Sequence, residues 1–512
     1  MKISPNILKI AIFITGVSGI VAEYILSTLA SYFLGDSILQ WTLIVSVMLF
    51  SMGLGARISK HINKDLLPKF IFIEFILSIF VSFSSLFVYL IAAYSNYLGI
   101  LIYTLSIMVG LLIGMEIPIV IRLNDKFEDL KVNISSVLEK DYYGSLVGGV
   151  FFAFVGLPFL GLTYTPFVLG SLNFVVAVLL FIVLYKHISR FRTLIISSAV
   201  FVSVAIMLGV IYAKPIILYG EQKKYKEKVI LTEQSKYQRI VITQWENEFF
   251  LFINGNKQLS TIDEAMYHEP LVHPIMHLAK EHKSILILGG GDGCAVREIL
   301  KYDDVDKITL VDLDPEMTRL AKTDPVLLDI NKRSFLSDKL TIKNEDGFNF
   351  IENTNQYYDL IIIDLPDPRS VELSKLYSME MYELCRQKLK LNGFIITQAG
   401  SPYYAPRSFK TIDYTMSAAG FNTLKIHNQI LTFGEWGWVI GSKQLNNENL
   451  KKAFLNLNVE DVDTKWLNNE SLHLMASFGK DIFDKNKDSL EVNKISNPAL
   501  YRTYLNGNWD YY

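Results

Sequence analysis

The sequence predicts two architectures in one chain, an N-terminal all-α transmembrane bundle and a C-terminal α/β domain built on a parallel sheet. Apolar runs of membrane length fill residues 7–213, and from residue 284 short apolar strands alternate with helical stretches. The whole chain is 51% apolar with a mean hydropathy of +0.28, too apolar for one soluble domain of 512 residues. The average therefore covers two parts of different composition.

About seven transmembrane helices are predicted, because seven apolar runs are each long enough to span a bilayer. They cover about residues 7–30, 38–58, 69–93, 98–121, 144–164, 166–185 and 192–213. Lys and Arg occur in the second, fourth and sixth loops and are absent from the first, third and fifth. Positively charged loops stay in the cytoplasm, so the pattern predicts a cytoplasmic N-terminus. Seven crossings would then place everything after Tyr212 outside the cytoplasm.

Acidic residues interrupt these apolar runs at Glu23, Glu74 and Glu116. Ionisable groups are costly in hydrocarbon and usually face a bundle interior or a wet cavity. One interpretation is a binding site or pathway for polycations. The sequence favours the other, which is internal pairing, for example of Glu116 with Arg122 or Arg57. Glycines in the same runs favour close helix packing over ligand binding, at Gly53, Gly55, Gly144, Gly148 and Gly149.

The composition changes after a basic juncture, and residues 214–283 are predicted to form a linker and a small domain of β-hairpins. Its short runs are rich in β-branched and aromatic residues. Residues 284–445 show the alternation of a doubly wound, mainly parallel sheet, with strands at 285–288, 308–311, 340–343, 359–363 and 393–398. Residues 446–512 are polar and predicted to be a helical extension without evident chemistry.

A glycine-rich turn follows the first of these strands, in the stretch SILILGGGDGCAVREIL from Ser284 to Leu300. Strand, turn and helix predict a nucleotide site of Rossmann-like type, because glycines such as Gly289 and Gly290 let backbone amides approach a ligand. Asp312 ends the next strand, where an acid suits the two hydroxyls of a ribose.

Asp292, within the turn, bears on the kind of nucleoside donor. Its carboxylate would repel the carboxylate of S-adenosylmethionine and attract the ammonium of a decarboxylated donor. The alternative is that Asp292 only caps the following helix. This residue taken alone leaves both interpretations open.

Carboxylates at two further strand ends predict a site for a nucleoside and an amine. Asp346-Gly347 follows the third strand, where the acid can accept a hydrogen bond from an adenine amino group. Asp364 and Asp367 lie on a proline-stiffened loop after the fourth strand. One can take a proton from an attacking amine while the other holds a distal ammonium. Asp-x-x-Asp-Pro is often only a turn, but its place after a parallel strand favours chemistry.

The remaining composition excludes several classes of function. Two cysteines, Cys294 and Cys385, rule out a disulfide framework and a zinc knuckle. No pair of histidines has metal-ligand spacing with a third ligand in view, so no metal is expected. A net charge of -2 gives no indication of nucleic-acid binding.

Eight motifs resemble, in order, the signatures of the spermidine synthase (polyamine aminopropyltransferase) family. They are SKYQRI, QLSTIDEAMYHEPLVH, ILGGGDGCAVREIL, VDLD, EDG, DLIIIDLPDP, GFIITQAGSP and GEWGW, spread over about residues 229–443. The N-terminal part resembles the multi-pass membrane form of this family. The resemblance implies a small β domain before a Rossmann-like, class I methyltransferase-like domain. It also implies aminopropyl transfer from decarboxylated S-adenosylmethionine to putrescine, giving spermidine and methylthioadenosine.

The resemblance assigns roles to individual residues. It implies that Asp364 is the catalytic acid that deprotonates or positions the attacking amine. The donor-binding residues that it implies are Gln238, Gln258, Gly289, Gly290, Asp292, Asp312, Asp346 and Gly347. The acceptor-binding residues are Tyr267, His268, Asp367 and Gln398. It implies no cofactor, since the decarboxylated donor is a co-substrate.

Two segments depart from the family pattern. Arg369 to Lys375 replaces a Gly-Pro-Ala segment that normally closes over the site. Ile430 to Phe433 replaces Pro-Thr-Tyr-Pro, which carries a tyrosine that helps hold the acceptor. The choice of acceptor is therefore open, and the tyrosine is either missing or supplied from elsewhere in the chain.

The sequence thus predicts a membrane-bound aminopropyltransferase whose partners are a diamine, a nucleoside donor and the lipid bilayer, with no nucleic acid. The alternatives are a methyltransferase on the same sheet, and a polyamine transporter or sensor whose Rossmann-like domain no longer catalyses. A third is that the helices only anchor the enzyme. The side of the membrane is open, because loop charges place the catalytic domain outside whereas the donor is made in the cytoplasm. The acceptor's chain length and homo-oligomerisation are open as well.

Overall fold

The computed structural model describes residues 5–35, 37–94, 97–125, 128–188, 190–479 and 490–509. The chain divides into two compact units, Met1–Val229 and Ile230–Tyr512. The first is helical, and the second contains the sheets and the predicted site residues.

The first unit is a helical bundle, and its described residues form seven α-helices. They are α1 (Pro5–Leu34), α2 (Ser37–Ser59), α3 (Leu66–Ala92), α4 (Leu98–Asn124), α5 (Leu130–Phe151), α6 (Gly161–Val183) and α7 (Arg192–Lys224). A π-helical segment, Phe152–Leu160, joins α5 to α6. In the described part of the chain, six stretches are long and apolar enough to cross a membrane, since Leu130–Val183 is one helical run of 54 residues.

The run from Leu130 to Val183 turns back on itself at Gly161, which has a φ of +61°. The ring of Phe152 lies 5.6 Å from that of Tyr24 on α1. Asn173, further along the run, accepts a hydrogen bond of 2.8 Å from Ser18, which precedes Tyr24. A straight helix would instead carry Asn173 about 30 Å past Phe152. The predicted count of seven crossings stays a prediction, but this run consists of two arms.

Glycines bring α2 and α4 into backbone contact. A Cβ atom at Gly55 would lie 2.1 Å from the carbonyl oxygen of Leu111, and one at Gly114 would lie 2.0 Å from that of Met52. Close packing is thus confirmed at Gly55, and likewise at Gly144 and Gly148, which face α1. The prediction of close helix packing is wrong for Gly53 and Gly149. A Cβ atom at Gly53 would meet no atom within 4 Å, and one at Gly149 would make only ordinary van der Waals contacts.

The three acids that interrupt the predicted apolar runs are buried, with Glu74 and Glu116 fully enclosed and Glu23 8% exposed. Glu74 accepts a hydrogen bond of 3.2 Å from the Thr15 hydroxyl. The predicted pairing of Glu116 with Arg122 or Arg57 is wrong, because neither carboxylate oxygen of Glu116 has a hydrogen-bond partner among the described residues. Arg122 donates instead to the carbonyl oxygens of Pro118, Ser59 and Ile62. Arg122 thus joins its own helix α4 to the end of α2 and the loop that follows it.

The boundary predicted at residue 213 falls inside α7, which continues through Pro215 to Lys224. A proline removes one backbone hydrogen bond and kinks a helix, but the remaining bonds can continue it. The end of the apolar run is therefore not the end of the helix. The division between the two units lies later, at Val229.

The second unit begins with a four-stranded antiparallel sheet in the order β1-β2-β3-β4. Its strands are β1 (Lys228–Gln234), β2 (Arg239–Trp245), β3 (Glu248–Ile253) and β4 (Asn256–Ser260). The first two residues of β1 still belong to the first unit. Apolar residues such as Ile240 and Leu251 are buried along these strands.

A seven-stranded sheet follows, in the order β10-β11-β9-β8-β5-β6-β7. Its strands are β5 (Ser284–Gly289), β6 (Lys307–Val311), β7 (Leu340–Lys343), β8 (Tyr358–Asp364), β9 (Leu389–Gln398), β10 (Asn422–Ile430) and β11 (Gly434–Ser442). All five predicted strands are confirmed and pair in parallel. β10 and β11 form an antiparallel edge that the sequence did not predict. Ile285 to Leu288 are fully buried, as expected for a strand covered on both faces.

Helices surround this sheet and continue beyond it. They are α8 (Ala265–Leu278), α9 (Cys294–Ile299), α10 (Pro315–Thr323), α11 (Pro325–Ile330), α12 (Gly347–Asn353), α13 (Val371–Lys375), α14 (Met379–Lys388), α15 (Pro406–Ala418), α16 (Asn447–Leu455), α17 (Asn469–Met475) and α18 (Ala499–Leu505). The last three lie in the predicted C-terminal extension, which belongs to the second unit. The strand order reverses between β5 and β8, where ligands bind in open α/β sheets.

We expect Gly55→Val to destabilise the bundle by at least about 1–3 kcal/mol, because its side chain would collide with α4. Gly53→Val, two residues away on the same helix, is the matched control and should behave as wild type. The measurement is the melting temperature and yield of folded protein in detergent. Equal losses for both variants would contradict the close contact between α2 and α4.

Candidate active site

The glycine turn after β5 fits closely against the end of β8. Gly289 has a φ of +86°, and a Cβ atom there would lie 2.0 Å from the carbonyl oxygen of Asp364. The Gly290 amide donates a hydrogen bond of 3.0 Å to that same oxygen. Only glycine combines this backbone conformation with such a close approach. The turn therefore places its amides next to the Asp364 carboxyl group.

His268, Asp292 and Asp364 converge beside this turn, with one polar atom of each lying within 4.8 Å of the others. His268 Nε2 is 3.9 Å from Asp292 Oδ1. The Tyr267 hydroxyl donates a hydrogen bond of 2.7 Å to Asp364 Oδ1. Tyr267 and His268 come from α8, Asp292 follows β5, and Asp364 is the last residue of β8. Residues that the sequence separates into three motifs thus form one cluster.

Neighbouring charges set the protonation of this cluster. Burial alone would lower the pKa of His268, but its hydrogen bond to Glu264 and the charge of Asp292 raise it to about 9. Burial and then the charge of Asp292 raise the pKa of Asp364, His268 and Tyr267 lower it, and the net result is a pKa of about 6. At neutral pH the imidazole is therefore a cation and the Asp364 carboxylate is mostly ionised.

The acids predicted for the donor lie around the same turn. Asp312 ends β6, and a Cβ atom at Gly291 would come within 2.5 Å of its Oδ2. Burial raises the pKa of Asp312 to about 6. Asp346 caps α12 by accepting from the Asn349 amide at 2.8 Å. Asp292 Oδ1 accepts from the Cys294 amide at 2.7 Å, in the turn before α9, whose N-cap residue is Gly293.

Asp367 lies on the loop after β8, three residues beyond Asp364, and two distant parts of the chain contact it. Its Oδ2 accepts a hydrogen bond of 2.7 Å from the Tyr504 hydroxyl, and its Oδ1 is 3.5 Å from Gln398 Nε2. Gln398 also donates to the Leu365 carbonyl at 2.8 Å and contacts the Tyr377 hydroxyl at 2.6 Å. Asp367 and Gln398 thus lie together, as predicted for an acceptor site.

Gln238 and Gln258 lie in the small antiparallel sheet. The backbone of Gln238 closes the turn between β1 and β2 with Ser235. The side chain of Gln258 donates to the carbonyl oxygens of Asn256 and Lys257, at 3.4 and 3.2 Å. Neither glutamine makes a hydrogen bond to the clustered carboxylates among the described residues. Their donor-binding role stays a prediction.

The structure adds two tyrosines that the sequence did not predict, Tyr377 and Tyr504. Tyr377 donates to the carbonyl oxygens of Leu365 and Pro366, which stiffens the loop carrying both acids. Tyr504 comes from α18, in the extension that was predicted to have no chemistry. The only sequence feature that pointed to Tyr504 was the absence of the family's acceptor-site tyrosine from residues 430–433, which left open that another part of the chain supplies one.

His268, Asp292 and Asp364 are spaced closely enough to hold a metal ion. Metal ligation requires a neutral imidazole, whereas the raised pKa of His268 keeps this ring protonated. The donor set therefore fits a metal poorly, and the expectation of no metal stays a prediction.

Residues 264–453, which carry most of this site, match the family model of the spermine/spermidine synthase domain. A polyamine aminopropyltransferase 2 of Aquifex aeolicus is 43% identical over 97% of this chain and 98% of the relative. The polyamine aminopropyltransferase of Oceanobacillus iheyensis is 36% identical over 98% of this chain and 96% of that one. A crystal structure of spermidine synthase with the transition-state analogue AdoDATO is 27% identical, covers 49% of this chain and 86% of that chain, and has a TM-score of 0.45.

This chain belongs to the spermine/spermidine synthase family. The identity to the two polyamine aminopropyltransferases extends over nearly their whole length, and it makes this chain a transferase. The match to the family domain begins at Glu264 and ends at Ala453. Tyr504 therefore lies outside the part of the chain that the family domain describes.

We expect the stability of this family member to depend on pH through His268. The pKa of His268 is raised in the folded state, so its contribution is complete below pH 6.5 and is lost as the pH rises through about 9. The shift corresponds to about 3 kcal/mol. The melting temperature of the wild-type protein should fall between pH 6.5 and about 9, and the share of this decrease that His268 causes should be absent in His268→Gln. The control variant His473→Gln, at an exposed histidine, should show the same decrease as wild type. An unchanged fall in His268→Gln would contradict the assignment.

Proposed function

We propose that this protein transfers an aminopropyl group from decarboxylated S-adenosylmethionine to putrescine, giving spermidine and methylthioadenosine. The observation that carries the proposal is the set of three carboxylates, Asp292, Asp364 and Asp367, on the adjoining loops after β5 and β8. Both substrates are cations, and enclosed carboxylates favour cations over neutral or anionic ligands.

The donor would bind across the glycine turn. Asp292 has one oxygen engaged at the start of α9, which leaves the other for the donor's ammonium. The backbone at Gly289 and Gly290 would face the nucleoside, Asp312 would hold the ribose, and Asp346 with Gly347 the adenine. Gln238 and Gln258 would line the same site from the small sheet. A donor that kept its carboxylate would be repelled by Asp292, which disfavours the methyltransferase alternative.

In the reaction the lone pair of the attacking amine nitrogen forms a bond to the methylene carbon next to the sulfonium. The carbon–sulfur bond breaks, its electron pair goes to sulfur, and methylthioadenosine leaves. The nitrogen loses a proton to the Asp364 carboxylate, which the Tyr267 hydroxyl orients at 2.7 Å. A carboxyl group whose pKa is about 6 is ionised at neutral pH and accepts that proton more readily than an ordinary aspartate.

The acceptor would extend from Asp364 to Asp367, with Gln398 and Tyr267 alongside. Asp367 would bind the distal ammonium, since Gln398 is 3.5 Å from one of its oxygens and leaves room for a second partner. His268 is cationic and lies between Glu264 and Asp292. It would therefore act on the acceptor by holding these carboxylates rather than by contacting an ammonium.

We further propose that the first unit spans the membrane with seven crossings. Six apolar stretches have sufficient length, and the turn at Gly161 divides the longest into two arms. The loop charges favour an N-terminus in the cytoplasm.

Asp364→Asn should abolish methylthioadenosine release when the full chain in detergent is given decarboxylated S-adenosylmethionine and putrescine. We expect a loss of at least about 100-fold, typical of removing a general base. The control is Asp329→Asn, at an aspartate whose side chain is 82% exposed. No release by wild type with any diamine in a panel of increasing length would overturn the proposed function. Activity retained in Asp364→Asn would overturn only the role of Asp364.

Cysteine labelling in intact cells tests the crossings. Both native cysteines are buried, so a maleimide should report only an introduced thiol. Seven crossings predict that Lys451→Cys, at an exposed position of the second unit, is labelled from outside. Lys60→Cys in the second loop is the opposite control and should react only after permeabilisation. If both need permeabilisation, the number of crossings is even and the second unit is cytoplasmic.

A further inference from the structure

Residues 490–509, here called the C-terminal tail, contact one of the two segments in which this chain departs from the family pattern, residues 369–375. The tail lies beyond residue 453, where the family domain ends. It also contacts Tyr404, whose ring lies against Gly434, directly after the other departing segment, residues 430–433. The tail therefore contacts the first departing segment directly and the neighbourhood of the second through Tyr404.

Asn493 fixes the tail to the segment after Arg369. It is fully buried, and its side-chain amide donates to the carbonyl oxygens of Ser374 and Tyr377 at 2.8 and 3.1 Å. Its side-chain oxygen accepts from the Ser374 hydroxyl at 3.0 Å, and its carbonyl accepts from the Met379 amide at 2.8 Å. A residue with so many buried hydrogen bonds holds the two segments in one register.

Tyr504 extends from this anchor to Asp367. The tyrosine is 3% exposed, and Trp509 packs on its ring with a centroid distance of 4.5 Å and donates to its carbonyl at 2.7 Å. The guanidinium of Arg369 lies 5.7 Å from the centroid of the Tyr504 ring. The Tyr504 hydroxyl donates a hydrogen bond of 2.7 Å to Asp367 Oδ2, which fixes its orientation. Burial, and then the charge of Asp367, raise the pKa of Tyr504, and Arg369 lowers it only in part, so the hydroxyl remains a neutral donor.

The neutral charge of the Tyr504 hydroxyl is important because the cation Arg369 also lies close to Asp367. Arg369 Nη2 is 3.5 Å from Asp367 Oδ2, and this guanidinium also bonds to Asn256. This ion pair is long and the Arg369 side chain is 38% exposed, so it offsets the charge of Asp367 only in part. The Tyr504 hydroxyl occupies Oδ2 without cancelling the charge, and the other oxygen stays directed toward Gln398.

We infer that Tyr504 is an acceptor-positioning residue, which orients the Asp367 carboxylate for the distal ammonium of a diamine. The C-terminal tail thereby supplies the tyrosine that the segment from Ile430 to Phe433 lacks. This inference rests on the proposed function, because it assumes that Asp367 binds the acceptor.

Tyr504→Phe tests the inference in the full chain in detergent. It should raise the KM for putrescine about tenfold, as expected for loss of a hydrogen bond to a charged group. The kcat and the KM for decarboxylated S-adenosylmethionine should stay within about twofold, since the hydroxyl touches neither the donor nor the reacting atoms. The matched control is Tyr414→Phe, at a tyrosine that is 46% exposed, and all three constants should be unchanged.

A double-mutant cycle separates positioning from folding. If Tyr504 acts through the carboxylate, Tyr504→Phe should add no further increase in KM to Asp367→Asn. An unchanged KM for putrescine in Tyr504→Phe would overturn the inference. So would a loss of kcat and of both substrates' binding together with a lower melting temperature, because that pattern describes a purely structural tyrosine.

Equilibrium binding of radiolabelled putrescine distinguishes this inference from the proposed function. Weaker binding to Tyr504→Phe than to wild type supports the role of Tyr504 even if no methylthioadenosine is released. Equal binding to both proteins overturns it, while release of methylthioadenosine by wild type would still support the proposed function.

Discussion

The hydrogen bond from the Gly290 amide to the Asp364 carbonyl joins the carboxyl ends of two central strands, and the candidate active site depends on it. It measures 3.0 Å, and Gly289 leaves no space for a side chain against the same carbonyl. Because β5 and β8 are neighbours, the loops that follow them bring Asp292 and Asp364 to the same point. Any change that separated these strand ends would disturb both halves of the site.

The charges of the site follow from this proximity. Buried carboxylates at short range repel one another, and an unpaired buried charge is costly. His268 offsets part of this repulsion because Glu264 and Asp292 keep it protonated, and Arg297 in turn pairs with Glu264. The remaining negative charge favours ligands that bring positive charge with them. The preference for cationic substrates that we propose would thus follow from how closely the strand ends pack.

The last described residues of the second unit contact the loop after β8 at Asp367. Asn493 and Tyr504 connect the C-terminal tail to Ser374 and Asp367, and Trp509 packs on Tyr504. The segment after Arg369 therefore owes its position to residues more than a hundred places further along the chain. The tail thus contacts the segment at residues 369–375 and the acid Asp367 that precedes it.

Local patterns in the sequence were sufficient to predict the parallel strands and the positions of most acids in the candidate site. Five strands were predicted because a strand buried on both faces reads as a continuous apolar run, and the glycine turn and the acids at strand ends are likewise local features. β10 and β11 were not predicted, because the glycines Gly434 and Gly437 in the sequence GEWGW are typical of a turn. In the structure both glycines belong to β11, and Trp438, directly after Gly437, is fully buried. The sequence alone thus determined the Rossmann-like fold class of the second unit, the glycine turn after β5, and the positions of Asp292, Asp312, Asp364 and Asp367 at or after the ends of parallel strands. Only the tertiary structure decided that His268 is a cation and that Tyr504 holds Asp367, because both depend on contacts between distant segments. Asp367 and Tyr504 are 137 residues apart, and no pattern along the chain records such a contact.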